Sequence, residues 1–378
     1  MGLGTMKYMG SKKKMLSKGL GNLLKKESKT ATRIVDLFCG SAAVSWYAAI
    51  NLNKPVCSVD LQHYSTVLAA AVSGRTESSD YEAIEHQWIE TAEKAFQKFE
   101  QFDILGDYKN FCQKSVYDAR ILCENQLTVG PVWNAYGGFY FSPQQALSLD
   151  FLIRYLPDEN HDLCLAAAVI AASKCAAAPG HTAQPFQPTE TALPYIQEYW
   201  QKNIFGYVRE ALKNLTEMHA LQLGTVHTGD AIEFMENNAQ DGDLIFIDPP
   251  YSGVHYSRFY HVLETIARKE LVSVSGQGRY PDFSQRPQSD FSNKSSSLEA
   301  LKKMFLVLSR KKCSIIFTFP SGECSNGLSG TNVIEEAARY FSVKTIKFKN
   351  NFSTLGGNNK NRTARQKTTE LILLLKNT

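Results

Sequence analysis

Four residues at positions 248–251 carry groups suited to holding an amine against a flat ring. Asp248, Pro249, Pro250 and Tyr251 follow the apolar run Leu244–Ile247, which has the length and composition of a buried strand. Open α/β sheets bind ligands at the carboxyl ends of their strands. Each proline fixes its own φ at about −65° and donates no N–H. The Asp248 carboxylate and the Pro249 carbonyl can therefore both accept hydrogen bonds from one exocyclic NH₂ group, and Tyr251 can stack on the base that carries it.

A second candidate site combines the loop at 36–45, DLFCGSAAVS, with Asp60. Where a strand meets a helix N-terminus, a glycine such as Gly40 lets a ligand approach the backbone. Asp60 lies 20 residues beyond Gly40, at the predicted end of the next strand. A carboxylate at that place can accept both hydroxyls of a ribose. The G-x-G-x-x-G pattern of dinucleotide sites is absent, so the pattern favours a nucleoside without phosphates over NAD.

The elements that must position these residues predict an α/β domain. The stretches TRIVDLF (32–38) and PVCSVDL, which ends at Asp60, are typical strands separated by a helix through Asn51. A β–loop–α–β unit of this kind places its two strands parallel, with a right-handed crossover. Strands are also predicted before Asp230, up to Asp248, at 313–320 and in two stretches near the end of the chain, with helices at 255–270, 297–310 and 331–340.

Residues 75–221 follow a different pattern, which predicts a mainly helical insertion. Apolar side chains recur on one helical face from Ile84 to Phe99. Further helices are predicted at 144–155, 161–178 and 194–219, and loops at 130–143 and 179–194. A Ser/Gln/Gly-rich loop is predicted at 273–297, and loops of that length are often functional. The predicted organisation is one discontinuous domain, 1–74 and 222–378, interrupted by the helical insertion 75–221.

Composition and charge narrow the class of protein. No apolar run reaches the ~18 residues of a membrane span, and the N-terminus lacks the apolar segment of a signal peptide. We therefore expect a cytoplasmic protein that is not bound to a membrane. The eight cysteines form no CxxC pair and no zinc-ligand spacing, so reduced, buried thiols and no metal are expected.

Residues 1–26 carry seven lysines and no acid, and 337–369 carry eight basic residues and no acid. If these two ends converge, they form a polyanion-binding surface.

Several stretches together resemble a known family, the Dam-like (D12) class of DNA N6-adenine methyltransferases. KYMGSKKKML (7–16) is similar to the family's N-terminal cofactor motif, and DLFCGSAAVS to its S-adenosylmethionine loop. DPPY matches the catalytic motif, YSRFYHVLE the helix motif after it, and NNKNRTARQKTTELILLL the closing basic loop and strand. The matching parts follow the family's order. The resemblance implies a Rossmann-like class I S-adenosylmethionine-dependent methyltransferase fold, with 75–221 in the place of the target-recognition region.

The family pattern also implies a role for individual residues. Asp248, Pro249, Pro250 and Tyr251 are the implied catalytic residues. The implied S-adenosylmethionine site has Asp36, Phe38, Gly40 and Ser41 around the methionine part, Asp60 at the ribose and Asp230 at the adenine edge, with the pocket lined by Tyr8, Gly10 and Lys12. We expect Lys360, Arg362 and Arg365 of the closing basic loop to contact DNA phosphates. One departure is Ala42–Ala43, where many relatives carry a second glycine.

The chemistry implied is methyl transfer to a poor nucleophile. The adenine N6 lone pair is delocalised into the ring, so two acceptors that draw on its hydrogens bias the nitrogen toward sp³. No metal or covalent enzyme intermediate is needed, and catalysis rests on positioning and electrostatics. The adenine must leave the duplex stack at a cost of a few kcal/mol. Stacking on Tyr251 restores ~1–3 kcal/mol.

Two alternatives remain open from the sequence. DPPY does not separate one exocyclic amine from another, so RNA adenine or cytosine N4 is a second substrate class, although the motif order favours adenine in double-stranded DNA. A non-catalytic nucleic-acid-binding subunit with this fold is the other alternative, and retention of Asp248 and the cofactor loop argues against it. The resemblance also implies that a cognate restriction or defence-system component is a partner of this protein. The sequence does not specify the recognition sequence or the oligomeric state.

Overall fold

The computed structural model describes residues 6, 12–99, 111–125, 129–352 and 366–377. The chain divides into two compact units. The first, which we call the sheet unit, comprises Gly10–Thr76, Ala220–Tyr256 and Pro287–Thr378. The second, the helical unit, comprises Met1–Met9, Glu77–His219 and Ser257–Arg286.

Seven strands form one sheet in the sheet unit. They are β1 Ile34–Asp36, β2 Val56–Asp60, β3 Thr225–Thr228, β4 Leu244–Ile247, β5 Ser314–Pro320, β6 Phe341–Phe352 and β7 Gln366–Asn377. Their spatial order is β3-β2-β1-β4-β5-β7-β6. Neighbours from β3 to β5 are parallel, whereas β7 is antiparallel to both β5 and β6. A mostly parallel sheet with one reversed strand near its edge confirms the predicted α/β class and is consistent with a class I methyltransferase fold.

Helices accompany this sheet, and the central strands are fully buried. β1 and β4 expose almost none of their side chains, which explains why both read as continuous apolar runs. One apolar core includes side chains of β1, β4, β5 and β7 with the helices Ala231–Asn238, Ser297–Ser309 and Gly330–Ala337. The other helical segments of this unit are Lys13–Met15, Leu16–Leu20, Gly21–Glu27, Ala43–Asn51 and His63–Ser73. The helix Tyr256–Arg268 begins at the last residue of the sheet unit and continues in the helical unit.

The helical unit is built as its sequence pattern predicts, with three differences. The first is the helix Gln113–Asn125, which the pattern did not predict. The predicted helix 194–219 is two helices, Leu193–Trp200 and Ile204–Thr216, and the Asn203 side chain caps the second by accepting from Gly206 N at 3.3 Å. The predicted loop 130–143 contains the helix Pro131–Tyr136. The other helical segments are Tyr81–Ile84, Glu85–Glu90, Thr91–Gln97, Pro143–Arg154 and His161–Cys175.

The segment Ser257–Arg286 belongs to the helical unit, although the sequence-based boundaries assigned it to the catalytic domain. Buried polar contacts within the unit explain its place. The Gly278 carbonyl accepts from the Tyr140 hydroxyl at 2.8 Å and lies 2.9 Å from His261 Nε2. Arg279 donates to the carbonyls of Ala135 and Asn134. Within the predicted loop 273–297, two short strands of two residues each pair with one another, Val274–Ser275 and Tyr280–Pro281.

No helix in the described part of the chain combines the length and hydrophobicity needed to span a lipid bilayer.

Candidate active site

Three acids of the sheet unit lie at the carboxyl ends of neighbouring strands. Asp36 ends β1, Asp60 ends β2, and Asp248 directly follows β4. The register pairs Asp36 with Ser58 and with Phe246, so the three strand ends are adjacent. Parallel strands thus bring together acids that are far apart in the sequence.

The loop after β1 is a tight turn braced by Asp60. Gly40 adopts a φ of 50°, and Ala42 also lies in the left-handed region with a φ of 58°. Asp60 Oδ2 accepts from Gly40 N at 2.8 Å, and Oδ1 accepts from Gln62 N at 2.9 Å. A carboxylate oxygen has two lone pairs, so these bonds leave capacity for ligand hydroxyls. The structure therefore gives Asp60 a bracing role that the sequence did not predict.

Asp36 is buried beside this loop. Ser45 Oγ donates to Asp36 Oδ2 at 2.6 Å, and Ser58 Oγ donates in turn to Ser45 at 2.9 Å. Among the described residues, nothing hydrogen-bonds to Asp36 Oδ1. Burial raises the pKa of Asp36 to about 7, with the charges of Asp248 and Asp60 adding to the rise and the Ser45 hydrogen bond opposing it. The site therefore contains a buried acid that changes its charge near neutral pH.

Asp248 is held from two sides. Thr318 Oγ1, on β5, donates to Asp248 Oδ1 at 2.7 Å. Lys12 Nζ lies 2.9 Å from Asp248 Oδ2 and 3.8 Å from Glu370 Oε2, and both Lys12 and Glu370 are buried. Burial alone would lower the pKa of Lys12, but the attraction of Asp248 and Glu370 raises it above its usual value. Lys12, predicted to line the cofactor pocket, thus contacts the predicted catalytic acid.

The residues after Asp248 are fixed by a separate contact. Asn326 Nδ2 donates to the carbonyls of Pro250 and Phe291 at 3.1 and 2.9 Å. Tyr251 is half-buried against the apolar core. Burial raises the pKa of Tyr251 to about 12, while Lys12 and a hydrogen bond with Tyr256 act in the opposite direction. The Pro-Pro-Tyr turn is therefore tied to the body of the unit.

The structure also describes three other residues that were predicted to bind the cofactor, Phe38, Ser41 and Asp230. Phe38 is half-buried, with its ring centroid 5.4 Å from that of Phe291 in an edge-on contact, and Ser41 is buried. Asp230 caps the helix Ala231–Asn238, where its Oδ1 accepts from Ile232 N and Glu233 N at 2.8 and 3.0 Å. Tyr8, Gly10, Lys360, Arg362 and Arg365 lie outside the described residues.

Metal and disulfide chemistry are not indicated within the described ranges. No group of three or more His, Cys, Asp or Glu side chains there is arranged to hold a metal ion. All eight cysteines are free thiols, and most of them are buried, as predicted.

Sequence reasoning missed Thr318, Glu370, Asn326 and Ser45. A usable signal existed for one of them, since Thr318 is a polar residue inside an otherwise apolar strand, IIFTFP. Glu370 follows the polar stretch QKTT of its own strand, so nothing local indicated its burial. Buried polar groups need partners, so Thr318 pointed to a polar neighbour. The identity of that neighbour depends on strand order, which places β4, β5 and β7 side by side.

Comparison with known proteins identifies relatives of this chain. Residues 8–127 and 197–314, more than half of the chain, match the family described as D12 class N6 adenine-specific DNA methyltransferase. Type II methyltransferase M.NlaIII of Neisseria lactamica is 25% identical over 303 residues, covering 74% of each protein. Modification methylase StsI of Streptococcus sanguinis is 25% identical over 41% of this chain, and modification methylase LlaI of Lactococcus lactis subsp. lactis is 42% identical over 17% of it. The matches span only 24% and 10% of the lengths of StsI and LlaI. The family match covers the Gly40 loop, the Asp248–Tyr251 turn and the lysine that holds Asp248, and the chain belongs to the D12 class of N6 adenine-specific DNA methyltransferases.

Proposed function

We propose that this protein transfers a methyl group from S-adenosylmethionine to N6 of an adenine within a specific DNA sequence. The observation that carries the proposal is the geometry of Asp248. Its carboxylate is at the carboxyl edge of the sheet, oriented by Thr318 and Lys12. It is followed by a turn that Asn326 fixes through the Pro250 carbonyl. This arrangement supports an acceptor pair presented rigidly to an exocyclic amine.

The residues around Asp36 fit a cationic cofactor. Asp36, Asp60 and Asp248 bring three carboxyl groups to one sheet edge, and the charges of Asp60 and Asp248 raise the pKa of Asp36 beyond the effect of burial. The buried Asp36 Oδ1 has no hydrogen-bond partner among the described residues. Buried charge requires an opposite charge. S-adenosylmethionine carries a sulfonium and an ammonium, and Asp36, Gly40 and Asp60 are the residues that would hold it.

When bound, the cofactor supplies an electrophilic methyl group. The chain's own contribution is to present the amine. Asp248 and the Pro249 carbonyl accept its two hydrogens, which frees the nitrogen lone pair for in-line attack. As the new N–C bond forms, the amine becomes more acidic, and Asp248 is the group placed to take the departing proton. Positioning of this kind supplies most of the catalysis in the absence of a covalent enzyme intermediate.

Tyr251 provides the surface on which the base stacks. Its ring is half-buried and packed against the apolar core, so little conformational entropy remains to be lost when a base binds. A base extruded from a duplex loses stacking worth a few kcal/mol. An aromatic platform recovers ~1–3 kcal/mol of that cost.

We further propose that the helical unit carries target recognition. Part of its surface is a cluster of arginines and aromatic rings. The Arg258 and Arg286 guanidinium groups lie 4.6 and 5.6 Å from the Tyr280 ring centroid, and Arg286 is also 5.5 Å from the Phe283 ring. Phe283 is 65% exposed. Cationic groups beside exposed aromatic rings favour contact with phosphates and bases.

The names of the relatives suggest the setting of this activity. Two of them are named modification methylases and one a type II methyltransferase. By analogy, we propose that this protein modifies double-stranded DNA and that a cognate restriction component is its partner class.

The test is to express the protein in a host lacking DNA methylation and to map modified bases by long-read sequencing. We expect N6-methyladenine confined to one sequence motif. Asp248→Asn keeps the size of the side chain and should abolish the modification while S-adenosylmethionine binding, measured by calorimetry, persists.

Three arms of the same experiment separate the alternatives. Methylation of cytosine N4 would change the substrate assignment, and methylation of total RNA in vitro without DNA methylation would change its class. A folded wild-type protein that binds S-adenosylmethionine and modifies no nucleic acid would contradict the proposed function.

A further inference from the structure

The buried Lys12 ammonium lies between two carboxyl groups and hydrogen-bonds to one of them. Its Nζ lies 2.9 Å from Asp248 Oδ2, within hydrogen-bond range, and 3.8 Å from Glu370 Oε2, outside it. Lys12 comes from the start of the chain, Asp248 from the loop after β4, and Glu370 from β7. All three belong to the sheet unit.

Glu370 is an unusual residue for the interior of a strand. It is 2% exposed and faces Pro320 of β5 in the sheet register. Its Oε2, the atom facing Lys12, has no hydrogen-bond partner among the described residues. Burial raises the pKa of Glu370 while Lys12 opposes the rise. A buried acid is costly unless it is paired, and the cation beside Glu370 in the described part of the chain is Lys12.

Lys12 and the target amine compete for the same acceptor. Thr318 already donates to Asp248 Oδ1, and Lys12 donates to Oδ2. Each oxygen keeps a second lone pair, but the charged Lys12 donor lies on the acceptor side of Oδ2 and draws electron density from it, so an incoming amine meets a weaker acceptor. A movement of Nζ by about 1 Å toward Glu370 would bring it into the normal range for an N–H···O bond. The same movement would weaken its bond to Asp248.

We propose that Glu370 is a positioning residue that draws Lys12 away from Asp248, so that the Asp248 carboxylate accepts the hydrogens of the target amine. The inference rests on the proposed function and assigns it a residue outside the DPPY turn. Among the described residues, the charged and titratable groups that interact with Asp248 are Lys12, Glu370, Tyr251 and Asp36, which come from four different parts of the unit. Among these four, Lys12 is the cation, so its position sets how strongly Asp248 accepts.

The first test compares Glu370→Gln with Glu336→Gln. Glu336 is a matched control because it is 4% exposed and is paired with Arg339 at 2.9 Å. Its Oε1, like Glu370 Oε2, has no hydrogen-bond partner in the described part of the chain. Glu336 belongs to the helix Gly330–Ala337, and its ion-pair partner is not one of the site residues. Thermal melting establishes that both variants fold.

Two readouts distinguish the role of Glu370. The first is the fluorescence of 2-aminopurine placed beside the target adenine, measured without cofactor, which rises when the target base, with its N6 amine, leaves the stack. The second is the single-turnover methylation rate at saturating S-adenosylmethionine. We expect Glu370→Gln to reduce the rate roughly tenfold to a hundredfold, the scale of a mispositioned catalytic group, and to reduce the fluorescence increase. Glu336→Gln should stay within about twofold of wild type in both.

A double-mutant cycle supplies a result that a purely structural role of Glu370 does not predict. If Glu370 acts through Lys12, then Glu370→Gln should lower the single-turnover rate of the wild-type protein but change the rate of Lys12→Gln by less than about twofold. Lys12→Gln keeps a hydrogen-bond donor but removes the charge. Two residues that act through one contact are non-additive, whereas independent structural defects add.

The proposal would be overturned if Glu370→Gln lowered the rate equally in the wild-type and Lys12→Gln proteins, or if it matched Glu336→Gln in rate and fluorescence. If Lys12→Gln does not fold, the comparison of the two glutamates decides alone. Failure of the proposed function is a separate result, because the wild-type protein would then leave DNA unmodified.

Discussion

At the scale of single residues, burial and the charge of the proposed ligand have opposite effects on the ionisation of Asp36. Its pKa is raised to about 7, first by burial and then by the nearby acids Asp248 and Asp60. An acid with a raised folded-state pKa binds more protons in the folded than in the unfolded chain. Its ionisation therefore reduces stability as pH rises from about 4 to about 7. A cationic ligand that pairs with the ionised form reverses this cost.

The affinity for S-adenosylmethionine should consequently rise with pH. Below pH 7 Asp36 is mostly protonated and must release a proton on binding, so affinity should increase by up to about tenfold per pH unit and level off above pH 7. Asp36→Asn should bind more weakly with a flatter profile. Calorimetry in buffers of different ionisation enthalpy counts the protons released, and a wild-type protein that releases none at pH 6 would contradict the assignment.

Asp60 combines a bracing role with the predicted ribose contact. Asp60→Ala removes the acceptor for Gly40 N and Gln62 N. We expect cofactor binding to weaken by ~1–3 kcal/mol, the scale of hydrogen bonds to a charged group, together with a lower melting temperature. Unchanged cofactor affinity with a lowered melting temperature would leave Asp60 with the bracing role alone.

At the scale of elements, the loop between β1 and the helix Ala43–Asn51 is closed by an alanine in a conformation that favours glycine. Ala42 has a φ of 58° and immediately precedes that helix. A left-handed L-residue costs about 1–2 kcal/mol. The departure from the family's glycine pattern therefore leaves the turn in place and stores strain in it.

Two matched substitutions measure this strain. Ala42 and Ala43 are both buried, so replacement of either by glycine removes the same methyl group from the interior. Ala42→Gly relieves the left-handed strain, whereas Ala43→Gly only loosens a helix. In urea unfolding, Ala42→Gly should be more stable than Ala43→Gly by about 1–2 kcal/mol. Equal stabilities would show that the turn is unstrained.

A second element, the helix Pro131–Tyr136, shows how a distant side chain decides local structure. Asp150, in the helix Pro143–Arg154, accepts from Val132 N at 2.9 Å and from Trp133 N at 2.8 Å. These are the N–H groups that a helix leaves unsatisfied at its start. The Pro, Gly and aromatic composition of 130–143 predicted a loop because the cap comes from a different helix.

At the scale of the whole molecule, the chain combines a sheet unit that carries the candidate chemistry with a helical unit that we propose reads DNA. Phosphate contacts position a protein and base contacts specify its site. Neutralising Lys360, Arg362 and Arg365 together should weaken binding about equally on cognate and non-cognate duplexes. The slope of log affinity against log salt should become shallower by ~0.9 for each phosphate that the variant no longer neutralises.

Changes in the helical unit should act differently. Tyr117 is 51% exposed on the helix Gln113–Asn125, and Phe283 is 65% exposed. Tyr117→Ala and Phe283→Ala should weaken cognate binding selectively, because removing a side chain that reads a base costs ~1–3 kcal/mol of discrimination. Fluorescence anisotropy over a salt series measures both effects. A triple charge variant without sequence preference but with the wild-type salt slope would be inconsistent with this division of labour.

Local sequence patterns were enough to predict most elements and the chemical character of the site. Apolar runs predicted β1, β4 and β5, and the residues directly after β1 and β4 indicated a nucleoside loop and an amine-binding turn. These features depend on neighbours within a few residues, so short stretches of sequence encode them. The family resemblance, which rests on the same stretches, is confirmed by the family match.

The side chains that surround the candidate catalytic acid became known only from the folded chain. Lys12, Thr318 and Glu370 meet near Asp248 because β4, β5 and β7 are adjacent and the first helical segment lies at their end. The fold likewise places Ser257–Arg286 in the helical unit. Contacts between distant parts of a chain follow from strand order and packing, and no local pattern encodes them. The partners of a buried polar residue are therefore the last feature that a sequence reveals.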